Sequence, residues 1–349
     1  MRKSLIVVML ISLLLVIGGC AEPVQQDTGV NEEVQMSVSV LRGPTAVGMI
    51  KMIDENRAPS NEVNVTYIIE QSPDVLASKL LSGEVDIATV PTNMAANLYN
   101  KGIDYQLAGV SIWGVMYVVS SDASIKSWSD LKNKDISCAG QGAASDLVFK
   151  YLLEMNQVDS KEDVNLQYIS SPVELAQSVI AGKGQIAVLP EPWVSKVLDQ
   201  NPECHVVLNV QEEWSRIHGA NLPDESMSVK LESQQEWLRQ NGGIPFAQTS
   251  LVVRKQFAAQ YPDIVEGFLR IYGEEIGWIN EHPAQAGELV EKQNLGLSAE
   301  VASAAIPRCN LYYVESQVAK PATEGFLQVL FDASPQSIGG KMPDEQFYY

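Results

Sequence analysis

The chain has 349 residues, 43 acidic against 24 basic, and a formal charge of -19. That balance excludes a nucleic-acid binder, which needs a basic face. The length exceeds a typical single domain, so two lobes are expected.

Arg2 and Lys3 open the chain, Leu5 to Ile17 is apolar apart from Ser12, and Gly18-Gly19-Cys20 follow. A charged start, a short apolar run and small residues at its end read as a signal peptide over residues 1–19. The run is shorter than the roughly 20 residues of a membrane span. Ile17-Gly18-Gly19-Cys20 resembles the bacterial lipobox, whose cysteine is lipidated and becomes the new N-terminus. Residues 20–35 then form a lipidated Cys20 and a polar, acidic tether. Loss of Arg2 and Lys3 takes the charge from -19 to -21. Such a surface repels anionic headgroups, so the lipid holds the chain to the membrane. The expected location is extracytoplasmic, at the cell surface or in the periplasm. Cys138, Cys204 and Cys309 show no CxxC spacing and read as buried thiols, with a Cys204–Cys309 bridge as the alternative.

Met36 to Leu41 alternates as a strand, Gly43-Pro44-Thr45 turns, and Ala46 to Glu55 continues as a helix. Val65 to Glu70 is the next strand. Ser72 to Pro91 reads SPDVLASKLLSGEVDIATVP, and Ser171 to Pro190 reads SPVELAQSVIAGKGQIAVLP. At an offset of 99 these match at 8 of 20 positions without a gap. In each copy serine caps a helix, proline sits in its first turn and glycine (Gly83, Gly182) ends it. A short buried strand and a proline follow. The repeat extends upstream of the second copy: Asp135 to Ala139 is a strand, Gly140-Gln141-Gly142 a turn, Ala143 to Asn156 a helix and Asn165 to Ile169 a strand. Each half is β-loop-α-β-α-β, which means parallel strands with right-handed crossovers and helices on both faces. Val115 to Ser120 reads as a strand leaving the first lobe and Thr249 to Arg254 as one returning. Pro262 to Asn280 is an amphipathic helix, and the last 60 residues read as helices packing back on lobe I. The fold class is therefore α/β: two lobes, two similar parallel or mixed sheets, and a two-strand hinge. Lobe I spans 36–117 and 250–349; lobe II spans 118–249. A hinge permits closure around a ligand.

In open α/β sheets ligands bind beyond the carboxyl ends of the strands. Four loops lie there: Gly43-Pro44-Thr45, Pro91-Thr92-Asn93, Gly140-Gln141-Gly142 to Ser145, and Glu191-Pro192-Trp193. The candidate ligand-binding residues are Gly43, Pro44, Thr45, Thr92, Asn93, Gly140, Gln141, Gly142, Ser145, Glu191 and Trp193, with Trp113, Gln248 and Thr249. Glycines let a ligand approach the backbone, and the hydroxyls and amides add hydrogen bonds. Glu191 suits an ammonium or N–H group and opposes a bare anion; its alternative role is to bind backbone amides across the hinge. Trp113 and Trp193 suit a flat ring, with core or interlobe packing as the alternative. Gly140-x-Gly142 lacks the third glycine of a dinucleotide site, and no Walker lysine follows.

Several stretches resemble the nitrate/sulfonate/taurine and thiamine-precursor group of ABC-transporter substrate-binding proteins. They are Leu41-Arg42-Gly43-Pro44-Thr45 with Gly48-Met49, Gly83 to Ala88 with Pro91-Thr92-Asn93, Glu191-Pro192, and Pro262 to Pro283. Ile306 to Leu311 and Ser337 to Tyr349 are similar to bacterial members of unassigned specificity. The resemblance covers about residues 36–349. It implies a type II periplasmic-binding-protein fold and import without catalysis, by a monomer that delivers a small organic molecule to ABC permease and ATPase subunits. The threonine-rich anion pocket of sulfonate binders is not evident at Gly142-Ala143-Ala144. Two other functions compete: an enzyme of pyrimidine- or menaquinone-precursor type on the same fold, and a lipoprotein that senses a ligand without transport. His205, His218 and His282 form no metal-ligand spacing with Cys or Asp, and Ser145-Asp146 has no partnered base. Neither a catalytic residue nor a cofactor or metal is therefore expected.

Overall fold

Val34–Leu41 forms strand β1, buried on both faces from Val38 to Val40, and it begins inside the stretch expected to be tether. The computed structural model describes residues 33–218 and 246–349; the expected signal peptide, Cys20 and the tether up to residue 32 lie outside the described residues. Two short helices follow, α1 (Pro44–Val47) and α2 (Ile50–Glu55), where the sequence predicts one. The break falls at Gly48-Met49, where a Cβ on Gly48 would lie 3.3 Å from Leu311 Cδ2 and 3.6 Å from the Tyr272 hydroxyl.

Next come β2 (Val63–Glu70), α3 (Pro73–Ser82), β3 (Ile87–Pro91), α4 (Thr92–Asn100), β4 (Tyr105–Trp113) and β5 (Met116–Ser120). They lead to β6 (Asp135–Ala139), α5 (Ala144–Met155), β7 (Asn165–Ile169), α6 (Pro172–Ile180), β8 (Ile186–Pro190), α7 (Trp193–Gln200), β9 (His205–Asn209) and α8 (Val210–His218). The duplicated caps form as expected. Ser72 Oγ accepts from Val75 N–H at 3.4 Å and Ser171 Oγ from Glu174 N–H at 3.2 Å.

After Phe246 the chain resumes with β10 (Ala247–Arg254), α9 (Lys255–Gln260), α10 (Pro262–Glu281), α11 (Pro283–Lys292), α12 (Ala299–Ala305), β11 (Leu311–Glu315) and α13 (Ser316–Ala333). The C-terminal part is thus not wholly helical. Five residues rich in aromatic and branched side chains, Leu-Tyr-Tyr-Val-Glu, form an edge strand on β4.

The strands form two mixed sheets, ordered β11-β4-β10-β3-β1-β2 and β7-β6-β8-β5-β9. β1, β2 and β3 run parallel, as do β6, β7 and β8. β10 inserts antiparallel between β3 and β4, and β5 antiparallel between β8 and β9. Among the described residues β5 pairs only within the second sheet and β10 only within the first. β5 thus lies in the second sheet from Met116 onward and β10 in the first from Ala247 onward. One apolar cluster joins Val38 and Val40 of the first sheet to Tyr117, Val119 and Trp193 of the second. The other joins Val90 and Trp113 to Val118, Leu147 and Trp214. α12 packs on α7 and α13 on α5, so the C-terminal helices bridge both sheets rather than lobe I alone.

Candidate functional site

The loops that end β1, β3, β6 and β8 hold the predicted residues, and their side chains are largely engaged with the protein. After β1, Gly43 adopts φ 127°, open to glycine alone at low cost. The buried Thr45 hydroxyl donates to the Leu41 carbonyl. After β3, Thr92 is buried and shares a 2.7 Å hydroxyl–hydroxyl bond with Ser250, and Asn93 Nδ2 donates to the Ser337 carbonyl at 3.4 Å. Thr249 is buried beside Pro91.

After β6 the loop stays open to solvent, with Gln141 and Gly142 exposed and Gly140 and Ser145 half-buried. Its helix N-terminus is already occupied by Asp146 of the same helix. That buried carboxylate accepts from Gly142 N–H at 2.8 Å, Lys150 Nζ at 2.8 Å and Tyr168 Oη at 2.8 Å. An external anion at α5 would compete with it.

After β8, Glu191 and Pro192 are joined by a cis peptide bond. The Glu191 side chain is 0% exposed. It accepts from Ser195 N–H at 3.0 Å, from Ser195 Oγ at 3.1 Å, and from Arg308 Nε. Arg308 also donates through Nη2 to Ser195 Oγ at 2.6 Å, and its carbonyl accepts from Tyr117 Oη at 3.1 Å. Burial raises the Glu191 pKa above the usual carboxylate range, opposed by Arg308 and Ser195. The Glu191 backbone N–H donates to the Val115 carbonyl at 2.9 Å, while the Val115 N–H donates to Gln248 Oε1 at 2.9 Å. Gln248 and Glu191 therefore brace one crossing residue from both sides. Trp113 is fully buried, with its indole N–H on the Tyr312 carbonyl at 2.6 Å. Trp193 is buried beneath Lys196, whose Nζ lies 5.7 Å from its ring centroid.

The sequence reading did not single out Arg308, Ser195, Lys150 or Tyr168 as partners. Two signals were local: Glu191–Ser195 and Asp146–Lys150 each have i,i+4 spacing. Cys138, Cys204 and Cys309 are free buried thiols, and burial pushes Cys138 up to about 12. Among the described residues no His/Cys/Asp/Glu group could hold a metal. An open groove of about 900 Å³ runs along α10 and β11, lined in part by Arg270, Gly273, Tyr313 and Tyr349; none of the predicted binding residues lines it.

Residues 56–214 match the family described as ABC transporter, phosphonate, periplasmic substrate-binding protein. No curated protein matches the sequence. Among solved structures, an ABC transporter from Parabacteroides distasonis is 28% identical with a TM-score of 0.72, over 91% of this chain and 99% of that one. The alkanesulfonate-binding protein SsuA from Xanthomonas axonopodis pv. citri, bound to MOPS, is 15% identical with a TM-score of 0.62, over 90% and 96%. The periplasmic nitrate-binding protein NrtA from Synechocystis is 13% identical with a TM-score of 0.58, over 88% and 84%. The family match and the α/β fold support one class: an ABC-transporter periplasmic substrate-binding protein. Its fold is the one shared with the sulfonate- and nitrate-binding proteins.

Proposed function

We propose that the protein is the extracytoplasmic solute-binding subunit of an ABC importer. It binds one small organic molecule between the strand tips of its two lobes, as a monomer, and delivers it to the permease. The lipid on Cys20 anchors it to the membrane. Among the described residues no helix is long and apolar enough to cross one. The observation that carries the reading is the duplication: two β-α-β-α-β halves with parallel strands, each ending its strands in glycine- or proline-bearing loops. Pro44, Asn93, Gly140, Gln141, Gly142 and Ser145 supply the tip surfaces, with Gly43, Thr45, Thr92 and Trp193 buried beneath them. Glu191, Gln248, Thr249 and Trp113 frame them from behind.

Native mass spectrometry of the full chain taken from its own membranes tests this directly. The expected spectrum shows one small organic solute per chain and a diacyl mass on an N-terminal Cys20. A chain that carries no solute, and whose melting temperature no small metabolite raises, would remove the capture role.

A further inference from the structure

We propose that the groove between α10 and β11 is a docking surface for an extended, lysine- or arginine-bearing segment of a partner protein. None of the strand-tip residues lines that groove, so the inference does not rest on the solute reading above.

The groove, of about 900 Å³, follows the outermost strand of the first sheet. Small and aromatic residues build its floor. Gly273 gives Tyr313 its place: a Cβ there would lie 3.3 Å from Cδ1 of that ring. The ring is held from its far end as well, where the Tyr313 hydroxyl donates to the Ala108 carbonyl at 3.0 Å. Gly277 lies one turn on, inside the 20-residue α10, and a Cβ there would meet nothing within 4 Å. Glycine weakens a helix interior relative to alanine. Neither a packing contact nor a positive φ calls for it at this position. Its effect is to leave the floor open beside the buried Ile276.

The walls carry charge. Glu266, Arg270 and Glu274 follow one another at i,i+4 spacing on α10, and Glu315 stands on β11. Arg270 is taken up by Glu274 at 2.8 Å, in a pair exposed on both sides. The lining therefore bears three carboxylates against one guanidinium, in a chain of charge -19. That sign repels an anionic headgroup layer, a nucleic acid and a second copy of the chain alike, and it complements a cationic segment. A groove open along its length suits an extended chain better than a compact solute, which a pocket encloses over most of its surface. An apolar side chain of the segment fits over Gly277, and its cations meet Glu266 and Glu315.

The test selects from a random peptide library on the full chain and on the variants Gly277→Leu, Gly277→Ala and Glu266→Lys. Gly277→Leu fills the groove from a position where its Cβ is unopposed, so the melting temperature should hold or rise. Glu266→Lys is an exposed change and should leave it unmoved. The expected result is enrichment, on the unaltered chain, of sequences in which lysine or arginine alternates with apolar residues. A synthetic peptide of the leading sequence should bind saturably in calorimetry. Its affinity should fall about 10-fold or more in Gly277→Leu and in Glu266→Lys, fall less in Gly277→Ala, and weaken as salt is raised. No enrichment beyond that on Gly277→Leu, enriched sequences without basic residues, or a leading peptide that binds every variant equally overturns the inference. So does spermidine binding that Gly277→Leu abolishes while no peptide is enriched, since the groove would then take a small cation. Solute capture is untouched by any of these outcomes.

Discussion

Replacing Arg308 with methionine should destabilise the protein in a pH-dependent way. Glu191 is 0% exposed and Arg308 37% exposed at the side chain. Removing one partner of a buried pair costs about 3–5 kcal/mol. The partial exposure of Arg308 lets water screen the pair, which reduces this to about 2–3 kcal/mol at neutral pH. At roughly 2 cal/mol/K of unfolding entropy per residue, a body the length of Val34–Tyr349 should lose about 3–5 °C of melting temperature. The Glu191 pKa is already raised by burial and held back by Arg308, so Arg308→Met raises it further. A carboxyl whose folded pKa exceeds its unfolded value favours folding below the unfolded value, and that contribution is lost as pH rises through the folded pKa. The penalty relative to wild type should therefore be small near pH 4, where Glu191 carries its proton, and full near pH 7.5. Glu191→Gln leaves a hydratable Arg308 and should cost about 1 kcal/mol. The double variant should recover most of the Arg308→Met loss, because no buried charge remains. Thermal melts of the four proteins at both pH values decide it. Equal destabilisation of Arg308→Met at the two pH values, or a double variant no better than the single, would refute the argument.

Gly114→Ala acts on the outgoing crossing between the sheets. Gly114 sits at φ 58°, and a Cβ there would lie 2.0 Å from Gln211 Oε1 and 2.8 Å from Phe246 Cε1. Gln211 can move but buried Phe246 yields less, so the loss should be about 1–3 kcal/mol, read as a lower urea midpoint; an unmoved midpoint would show that the crossing tolerates the side chain. Ser72→Ala and Ser171→Ala should each cost about 1 kcal/mol. Their effects should add within about 0.5 kcal/mol in the double variant, since the caps flank separate sheets. A cap whose loss changes nothing would mean that its helix start is held by packing alone.

What was legible in the sequence is what local chemistry determines. Ser72 and Ser171 announce helix starts because cap, proline and terminal glycine lie within a dozen residues of one another. The duplicated frame follows from that spacing, and with it the parallel strands. Long-range partnerships carry no such signal. Arg308 lies 117 positions from Glu191, so a strand-end glutamate reads equally as a ligand contact or an ion-pair partner. Trp113 is similarly ambiguous, because an aromatic residue at a strand end looks the same whether it faces a cleft or a core. β11 escaped notice among helices because five residues carry little periodicity and an edge strand needs only one partner. The insertion of β5 and β10 as antiparallel strands is likewise a property of pairing, and no single segment declares it.

The two halves keep the same frame but differ where a solute would meet them. Aligned at their strand ends, Arg42 follows β1 as Gly140 follows β6. Lobe II carries Asp146 at the start of its helix, and that carboxylate fills its own helix N-terminus with help from Lys150 and Tyr168. Lobe I has Gly48 at the corresponding position, beside Tyr272 and Leu311. The loop after β6 therefore carries its own carboxylate at the helix start, with Gln141 and Gly142 exposed beside it. The duplication thus supplies a common scaffold, and the two tips have diverged in the side chains that surround them.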